Sequence, residues 1–235
     1  HMGQMGGHMH DGPHMRFTAE RTPSEADLAR AREVLRTMRA AITPYQDAEK
    51  ALEEGHRIFL PTVPQEVYHF VHYPHTAQEY AGRFDVAHPG SLLYVKEGAD
   101  RWRLVGAMYS APEGSTEDQL DRLIPLGVSR WHAHVNVCLP EGVSLDDLTR
   151  GEIGAGNAHL AGTLDAGRHG AVADTVNRQY GFMADGRFGF EGRIADRPSC
   201  EGAGGKFLPQ AYGWMVHVYP FAGDDLKTAF GTDVP

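Results

Sequence analysis

The chain has 235 residues, of which 41% are hydrophobic, and its formal net charge is -9. This apolar content is enough for a packed core and excludes a disordered chain. The acidic balance argues against nucleic acid as a partner, and no apolar run is long enough to span a membrane. The unusual number is 14 histidines. Because histidine is the commonest metal ligand, the composition points towards metal chemistry.

The first 22 residues are rich in glycine, histidine and methionine and show little periodicity. His1 and Met2 are typical of a cloning remnant, and we expect residues 1–22 to form a flexible arm. Thioether sulphur suits Cu(I), whereas imidazole suits Cu(II), zinc and nickel. The arm therefore predicts a second metal site from four side chains: His8, Met9, His10 and His14. A tail without function is the alternative.

Helical signals come early in the chain and strand signals later. Apolar residues recur at helical spacing over 24–42, and Pro44 opens a second helix that ends at Gly55. Shorter helices are predicted over 115–123, 165–178 and 197–204. Strands are predicted from β-branched and aromatic content over residues 57–63, 67–73, 91–96, 101–110, 128–139 and 212–221.

The order of these elements indicates the fold class. Strands follow one another with few long helices between them, which favours an antiparallel sheet over a parallel one. We therefore expect residues 23–235 to form one α+β domain, with the N-terminal helices packed on one side of the sheet. A cupin-like β-barrel is the alternative, because His132 and His134 are similar to the HxH of cupins. Glu141 departs from the cupin spacing.

The sharpest chemical signal is the pair His132 and His134 in the strand 128–139. Residues two apart share a face of a strand, so both imidazoles would point the same way, with Asn136 and Cys138 further along. Two imidazoles one pleat apart are close enough to hold one metal ion. The alternative is one hydrogen-bonded structural histidine and one solvated histidine.

Two further strands each contribute one histidine to the predicted centre. His217 lies inside an apolar strand, where an imidazole is costly unless it has a partner. His69 is central in the strand 67–73, whereas His72 lies on the other face. We predict a mononuclear site from His132, His134 and His217, with His69 beside it. Tyrosines expected to surround the ligands as hydrogen-bond partners are Tyr68, Tyr73, Tyr109 and Tyr219.

The remaining histidines and the cysteines carry weaker signals. His72 and His75 are expected at the surface, and His56 and His88 are expected to be solvated. Cys138 and Cys200 match no metal-binding spacing. If paired, they would close a loop of about 60 residues and imply an oxidising compartment. Two free buried thiols are the alternative.

Several stretches together resemble a family of exported bacterial proteins, largely from soil bacteria, to which no activity is firmly assigned. The stretches that carry the resemblance are residues 59–61, 68–70, 91–94, 106–109, 131–138 and 213–220. The resemblance implies export and a histidine-based site, and it names no reaction.

Taken together, the sequence predicts a periplasmic or secreted metal-binding protein with one histidine-based centre. A nitrogen-only ligand set favours copper over zinc or iron. An open coordination position would make the protein a metalloenzyme for oxidative chemistry on a small-molecule substrate. Alternatives are a non-catalytic periplasmic copper carrier or buffer, a zinc-dependent hydrolase, or a binding domain whose histidines are incidental. We expect neither a nucleic-acid partner nor a membrane span.

Overall fold

The computed structural model describes residues 12–59, 61, 65–98, 101–142, 145, 186–190 and 192–235. Predictions that fall elsewhere lie outside the described residues. These are the helix over 165–178 and the arm residues His8, Met9 and His10.

Seven strands form one antiparallel sheet. In chain order they are β1 (Met15–Phe17), β2 (Arg57–Ile58), β3 (Tyr68–Val71), β4 (Ser91–Lys96), β5 (Trp102–Ala111), β6 (His132–Pro140) and β7 (Gly205–Val218). Their order across the sheet is β1-β6-β7-β5-β4-β3-β2, so β1 and β2 lie at the two edges. Because the sheet has edges, it is not closed into a barrel, and the cupin-like alternative is wrong.

Helices accompany this sheet, as the α+β prediction expects. They are α1 (Glu25–Ile42), α2 (Ala48–Glu53), α3 (Tyr73–Tyr80), α4 (Glu117–Leu123), α5 (Arg197–Gly202) and α6 (Leu226–Ala229), with a 3-10 turn over Thr43–Gln46. Within the described residues, no helix combines the length and the apolar character needed to cross a bilayer.

Helix α1 shows how local sequence fixes an element of the core. Ser24 caps its N-terminus, and Asp27 completes a capping box by accepting from the Ser24 backbone N–H. Its apolar stripe, which includes Leu35 and Met38, is buried against aromatic residues of the sheet such as Phe70 and Trp214. The N-terminal helices therefore cover one side of the sheet, as predicted.

Two of the differences from the expectation concern histidine-bearing segments. The predicted flexible arm over 1–22 is wrong for Met15–Phe17, which form the edge strand β1 along β6. The predicted strand over 67–73 ends at Val71, and His72 becomes the N-cap of α3. Pro74 accounts for this helix, because proline presets φ for a first helical turn.

A disulfide joins Cys138 of β6 to Cys200 of α5, with their Cα atoms 5.7 Å apart. Both side chains are fully buried and pack with Phe188. The pairing alternative of the sequence analysis is therefore confirmed, and the free-thiol alternative is wrong. The bond fixes the end of the strand that carries His132 and His134.

Candidate metal centre

The four histidines predicted as ligands lie on the face of the sheet opposite to the helix-covered core. Directly opposed residues of antiparallel strands share a face. Met215 lies opposite His132 and Met108 opposite His217. Both methionines belong to a second apolar cluster, separate from the cluster under α1. His69 joins this face because it lies opposite Leu93, another member of that cluster.

His69 reaches His217 across two intervening strands. Three strand steps would separate β3 from β7 by about 14 Å in a flat sheet, yet His69 Nε2 lies 3.3 Å from His217 Nε2. Gly106 lies between them on β5, where a Cβ would collide with the backbone of β7. The register of β4 against β5 also shifts after Leu93, and such irregularities increase local twist. Sheet coiling and the missing side chain let the two rings meet.

The ring spacings match those of ligands to a common ion. Two nitrogens bound to tetrahedral zinc at 2.0–2.1 Å are about 3.3 Å apart, and their ring centroids are about 5.2 Å apart. The centroids of His69 and His217 are 5.3 Å apart, and those of His132 and His217 are 5.2 Å apart. Without metal, the His69–His217 contact is an N–H···N hydrogen bond between two neutral imidazoles.

Binding of one ion by all four imidazoles would require the rings of His132 and His134 to rotate. In the described part of the chain, no three His, Cys, Asp or Glu side chains are arranged to hold a metal ion as they stand. The Nδ1 atoms of His132 and His134 are buried without a hydrogen-bond partner among the described residues, which costs free energy. The χ2 torsion of histidine is broad, so rotation towards His217 would let one ion satisfy both nitrogens.

Burial keeps all four imidazoles neutral. Loss of hydration is the largest cause that lowers the pKa of His69 and of His134 to about 4, and a neighbouring imidazole adds a smaller effect. The same cause lowers the pKa of His132 and His217 well below the usual range. At pH 7 the four rings are therefore in the form that binds metal ions.

Tyr219, the residue that follows β7, contacts the centre through His217. Its hydroxyl lies 3.4 Å from His217 Nδ1, and the side chain is fully buried. Burial raises the pKa of this phenol, so it stays protonated. A neutral phenol can accept a hydrogen bond from Nδ1–H when Nε2 binds a metal, or donate one when Nε2 carries the proton. Tyr219 therefore sets the orientation of His217 in either state.

The other three predicted tyrosines do not surround the ligands in this way. Tyr68 lies in the helix-side core against Trp102. The Tyr109 hydroxyl donates to the Val86 carbonyl in the same core. Tyr73 lies in the first turn of α3 and not on the predicted strand. For Tyr68 and Tyr109 the prediction is wrong, because side chains alternate between the two faces of a strand.

Cross-strand pairing adds three methionines opposite histidines of the centre. Met15 of β1 lies opposite His134, Met215 opposite His132 and Met108 opposite His217. Cβ atoms of such directly opposed residues are about 4.5–5.5 Å apart. Cross-strand register makes these pairs, and the sequence gives no register. The register therefore puts one methionine opposite each of the three histidines on β6 and β7.

The predicted continuation of the ligand face along β6 is wrong beyond His134. Asn136 has a left-handed φ of 55°, and its amide donates to the Pro13 carbonyl. His134 contacts the ring of Phe190, and Phe190 packs against the apolar cluster that contains Val137. Alternation is therefore interrupted at Asn136, and Cys138 turns instead to the disulfide.

The described part of the arm does not form the predicted second metal site. His14 Nε2 lies 2.6 Å from the Gly192 carbonyl, and its Nδ1 lies 3.4 Å from the Val135 carbonyl. Both ring nitrogens thus face backbone oxygen, and the side chain is only 7% exposed. His14 holds β1 against the sheet, so the prediction that it is a ligand is wrong in this arrangement.

Comparison with known proteins identifies no relative. The chain matches no protein-family model, no curated protein and no solved structure. The resemblance carried by residues 68–70, 131–138 and 213–220 therefore stays an expectation.

Proposed function

We propose that this protein binds one transition-metal ion, preferentially copper, between β3, β6 and β7. The ligands are His69, His132, His134 and His217. The observation that carries the proposal is the 3.3 Å contact between Nε2 of His69 and Nε2 of His217. It lies beside two further buried imidazoles whose Nδ1 atoms have no partner among the described residues. One ion would satisfy all of these nitrogens.

The surroundings of the centre favour copper over zinc. A nitrogen-only ligand set accepts both metals, but copper binds more tightly in the Irving–Williams order. Met15, Met108 and Met215 place thioethers opposite the ligands, and thioether sulphur prefers Cu(I). Zinc gains little from thioether neighbours. The methionines therefore support a centre that keeps copper in both of its oxidation states.

The proposed location is the periplasm or the cell exterior. The Cys138–Cys200 disulfide supports an oxidising compartment. The resemblance to exported bacterial proteins points the same way. In such a compartment the centre could store or carry copper, or use it in oxidative catalysis.

Metal content tests the centre directly. Protein exported natively and purified without a metal column would be analysed for copper, zinc and iron. We expect about one copper per chain, lost in the H132A/H134A variant. The matched control is deletion of residues 3–11, which removes two histidines but leaves β1 in place; we expect it to retain copper. Copper lost by the deletion and kept by H132A/H134A would move the site to the arm.

Three further outcomes decide among the alternatives. One zinc per chain at the same histidines would support the zinc-dependent hydrolase. No metal in the purified protein and none taken up on titration would overturn the proposal. Where copper is present, oxygen consumption with a phenolic reductant separates catalysis from carriage. If the protein is an enzyme, its rate of oxygen consumption must exceed the rate measured for H132A/H134A in a solution with the same total copper.

The methionines provide a test of metal preference. In M108L/M215L the two buried thioethers become hydrocarbon of similar size. We expect Cu(I) affinity to fall about tenfold and zinc affinity to stay unchanged. An equal effect on both metals would show that these methionines only pack the apolar face.

A further inference from the structure

Four histidines outside the centre form a row of rings that runs from the core to the surface. We call His56, His72, His75 and His88 the histidine row. The centroid distances between successive rings are 5.0, 3.8 and 5.3 Å. His56 is only 3% exposed, so its predicted solvation is wrong. His88, at the other end, is exposed as expected, with 62% of its side chain accessible.

The two inner histidines of the row are held by the backbone. His56 Nδ1 lies 3.0 Å from the Ala51 carbonyl, to which it can donate. His72 Nδ1 accepts from the His75 backbone N–H at 3.4 Å, and its Nε2 lies next to Gly55. The Nδ1 lone pair of His72 is therefore already used by the backbone. His72 caps α3, and His56 packs in the protein interior. We therefore propose neither ring as a metal ligand.

The two outer histidines each keep one nitrogen available. His75 Nδ1 lies 3.2 Å from the Pro89 carbonyl, and because a carbonyl only accepts, this nitrogen carries the proton. His88 Nδ1 lies 2.8 Å from an Asp85 carboxylate oxygen, which also only accepts. In the neutral form each ring therefore presents the lone pair of Nε2. This is how metal-bound histidines are commonly oriented, with the other nitrogen donating to a carbonyl or a carboxylate.

We propose that His75 and His88 form a second, surface site for a divalent transition-metal ion such as zinc or nickel. The two Nε2 atoms would be the protein ligands, and water would fill the other positions. The ring centroids are 5.3 Å apart, which matches the spacing of about 5.2 Å for two imidazoles on one tetrahedral ion. The site requires no contribution from the centre.

Asp85 acts as the positioning residue of this site. Its second carboxylate oxygen accepts from the Ala87 backbone N–H at 2.9 Å. The carboxylate is thus fixed while it orients the His88 ring. Its negative charge also favours a cation nearby, as does the net charge of the chain. Because both His88 and Asp85 are exposed, at 62% and 60%, the ion would exchange faster there than at the buried centre.

Calorimetric titration of the full chain with zinc chloride separates the two sites. We expect a tight and a weaker binding event in the wild type. H75A/H88A should lose only the weaker event, and H132A/H134A should lose only the tight one. If the centre binds no zinc, the wild type shows the weaker event alone. The surface proposal then stands while zinc binding at the centre fails.

Asp85→Asn tests positioning with little change in shape. We expect the weaker event to lose about tenfold in affinity. Asp118→Asn is the matched control, since it removes an exposed carboxylate on α4 far from the row and should change nothing. An equal loss in both variants would show that general charge, and not orientation of His88, attracts the ion.

Nitrogen-15 NMR of the wild type keeps the proposal falsifiable even if a variant folds poorly. His75 and His88 should each show a protonated Nδ1 and an unprotonated Nε2. Zinc should shift both Nε2 signals with one shared affinity. Unshifted Nε2 signals, or a weaker event unchanged in H75A/H88A, would overturn the site.

Discussion

The centre and the histidine row differ in what holds their rings. In the row, ring nitrogens are anchored to oxygen close by in the chain: His56 to Ala51, and His88 to Asp85. In the centre, Nδ1 of His132 and of His134 has no partner among the described residues. Both groups contain four imidazoles, yet only the centre buries unsatisfied nitrogen.

The difference teaches how to separate structural histidines from ligands. A ring nitrogen that already has a backbone partner, such as His72 Nδ1, stabilises the fold and is not available to an ion. A ring with one anchored nitrogen, such as His75, offers a fixed lone pair. Buried rings without an anchor, such as His132 and His134, have the most to gain from a metal ion.

The largest expected effect comes from the disulfide that ties β6, the strand of His132 and His134, to α5. We expect C138S/C200S to lower the free energy of unfolding by about 4 kcal/mol, because the bond closes a long loop. Urea denaturation measures this change, and wild type under reducing conditions should match the variant. Zinc affinity should fall at the centre and stay unchanged at His75 and His88. A change below about 0.5 kcal/mol would contradict the prediction.

Glu79 lies on α3, the helix of His75, and its buried carboxyl group accepts from the backbone N–H groups of Gly90 and Ser110. Burial raises the pKa of Glu79 to about 8. The folded state thus holds this proton more tightly than the unfolded chain, and stability falls as pH rises through 8. Between pH 5 and pH 8 the free energy of unfolding should fall by about 3 kcal/mol.

Glu79→Gln should remove this decrease in the free energy of unfolding, because an amide does not titrate. The measurement is the free energy of unfolding of both proteins at pH 5 and pH 8, so that contributions shared by the two proteins cancel. Parallel pH dependences would show that Glu79 keeps its charge in the folded protein.

Titration of His69 should make stability depend on pH in the opposite direction. Its folded pKa of about 4 lies below its ordinary value of 6.5. The neutral ring therefore contributes stability above pH 6.5, and this is lost as pH falls towards 4. We expect wild type without metal to lose about 2 kcal/mol more than His69→Phe between pH 7 and pH 4.5. Denaturation curves in the presence of a chelator test this, and an equal loss in both proteins would refute it.

The smallest expected effect is on the orientation of a ligand. Tyr219→Phe removes the hydroxyl beside His217 Nδ1, and copper affinity should fall about tenfold. The control is Tyr109→Phe, which removes a buried hydroxyl from the helix-covered face. Titration against a competing copper chelator measures both. Similar losses in the two variants would mean that general loosening of the fold weakens copper binding.

Local signals explain what could be predicted. Periodicity and the Ser24 cap predicted α1, and apolar, β-branched and aromatic runs on either side of a turn predicted β4 and β5. The HxH spacing selected His132 and His134 because pleating repeats every two residues. Helix α3 was missed because β-branched and aromatic residues around Val71 outweighed the signal of Pro74. The N-cap role of His72 became visible only in three dimensions.

Long-range geometry explains what could not be predicted. No local pattern brings His69 to His217 across β4 and β5, since that contact depends on sheet order, coiling and Gly106. The pairing of Met108 and Met215 with ligands depends on register, which the sequence does not state. The left-handed Asn136 likewise turned Cys138 away from the ligand face.

By itself, the sequence determined the α+β class, the helix-covered side of the sheet and the histidines worth considering. These follow from propensity and periodicity, which act over a few residues. The tertiary structure alone decided the strand order, the partners of each imidazole and the disulfide. Those depend on contacts between residues far apart in the chain, separated by 148 positions for His69 and His217 and by 178 positions for His14 and Gly192. Such contacts form only when the whole sheet assembles, and the contact at the proposed metal centre is one of them.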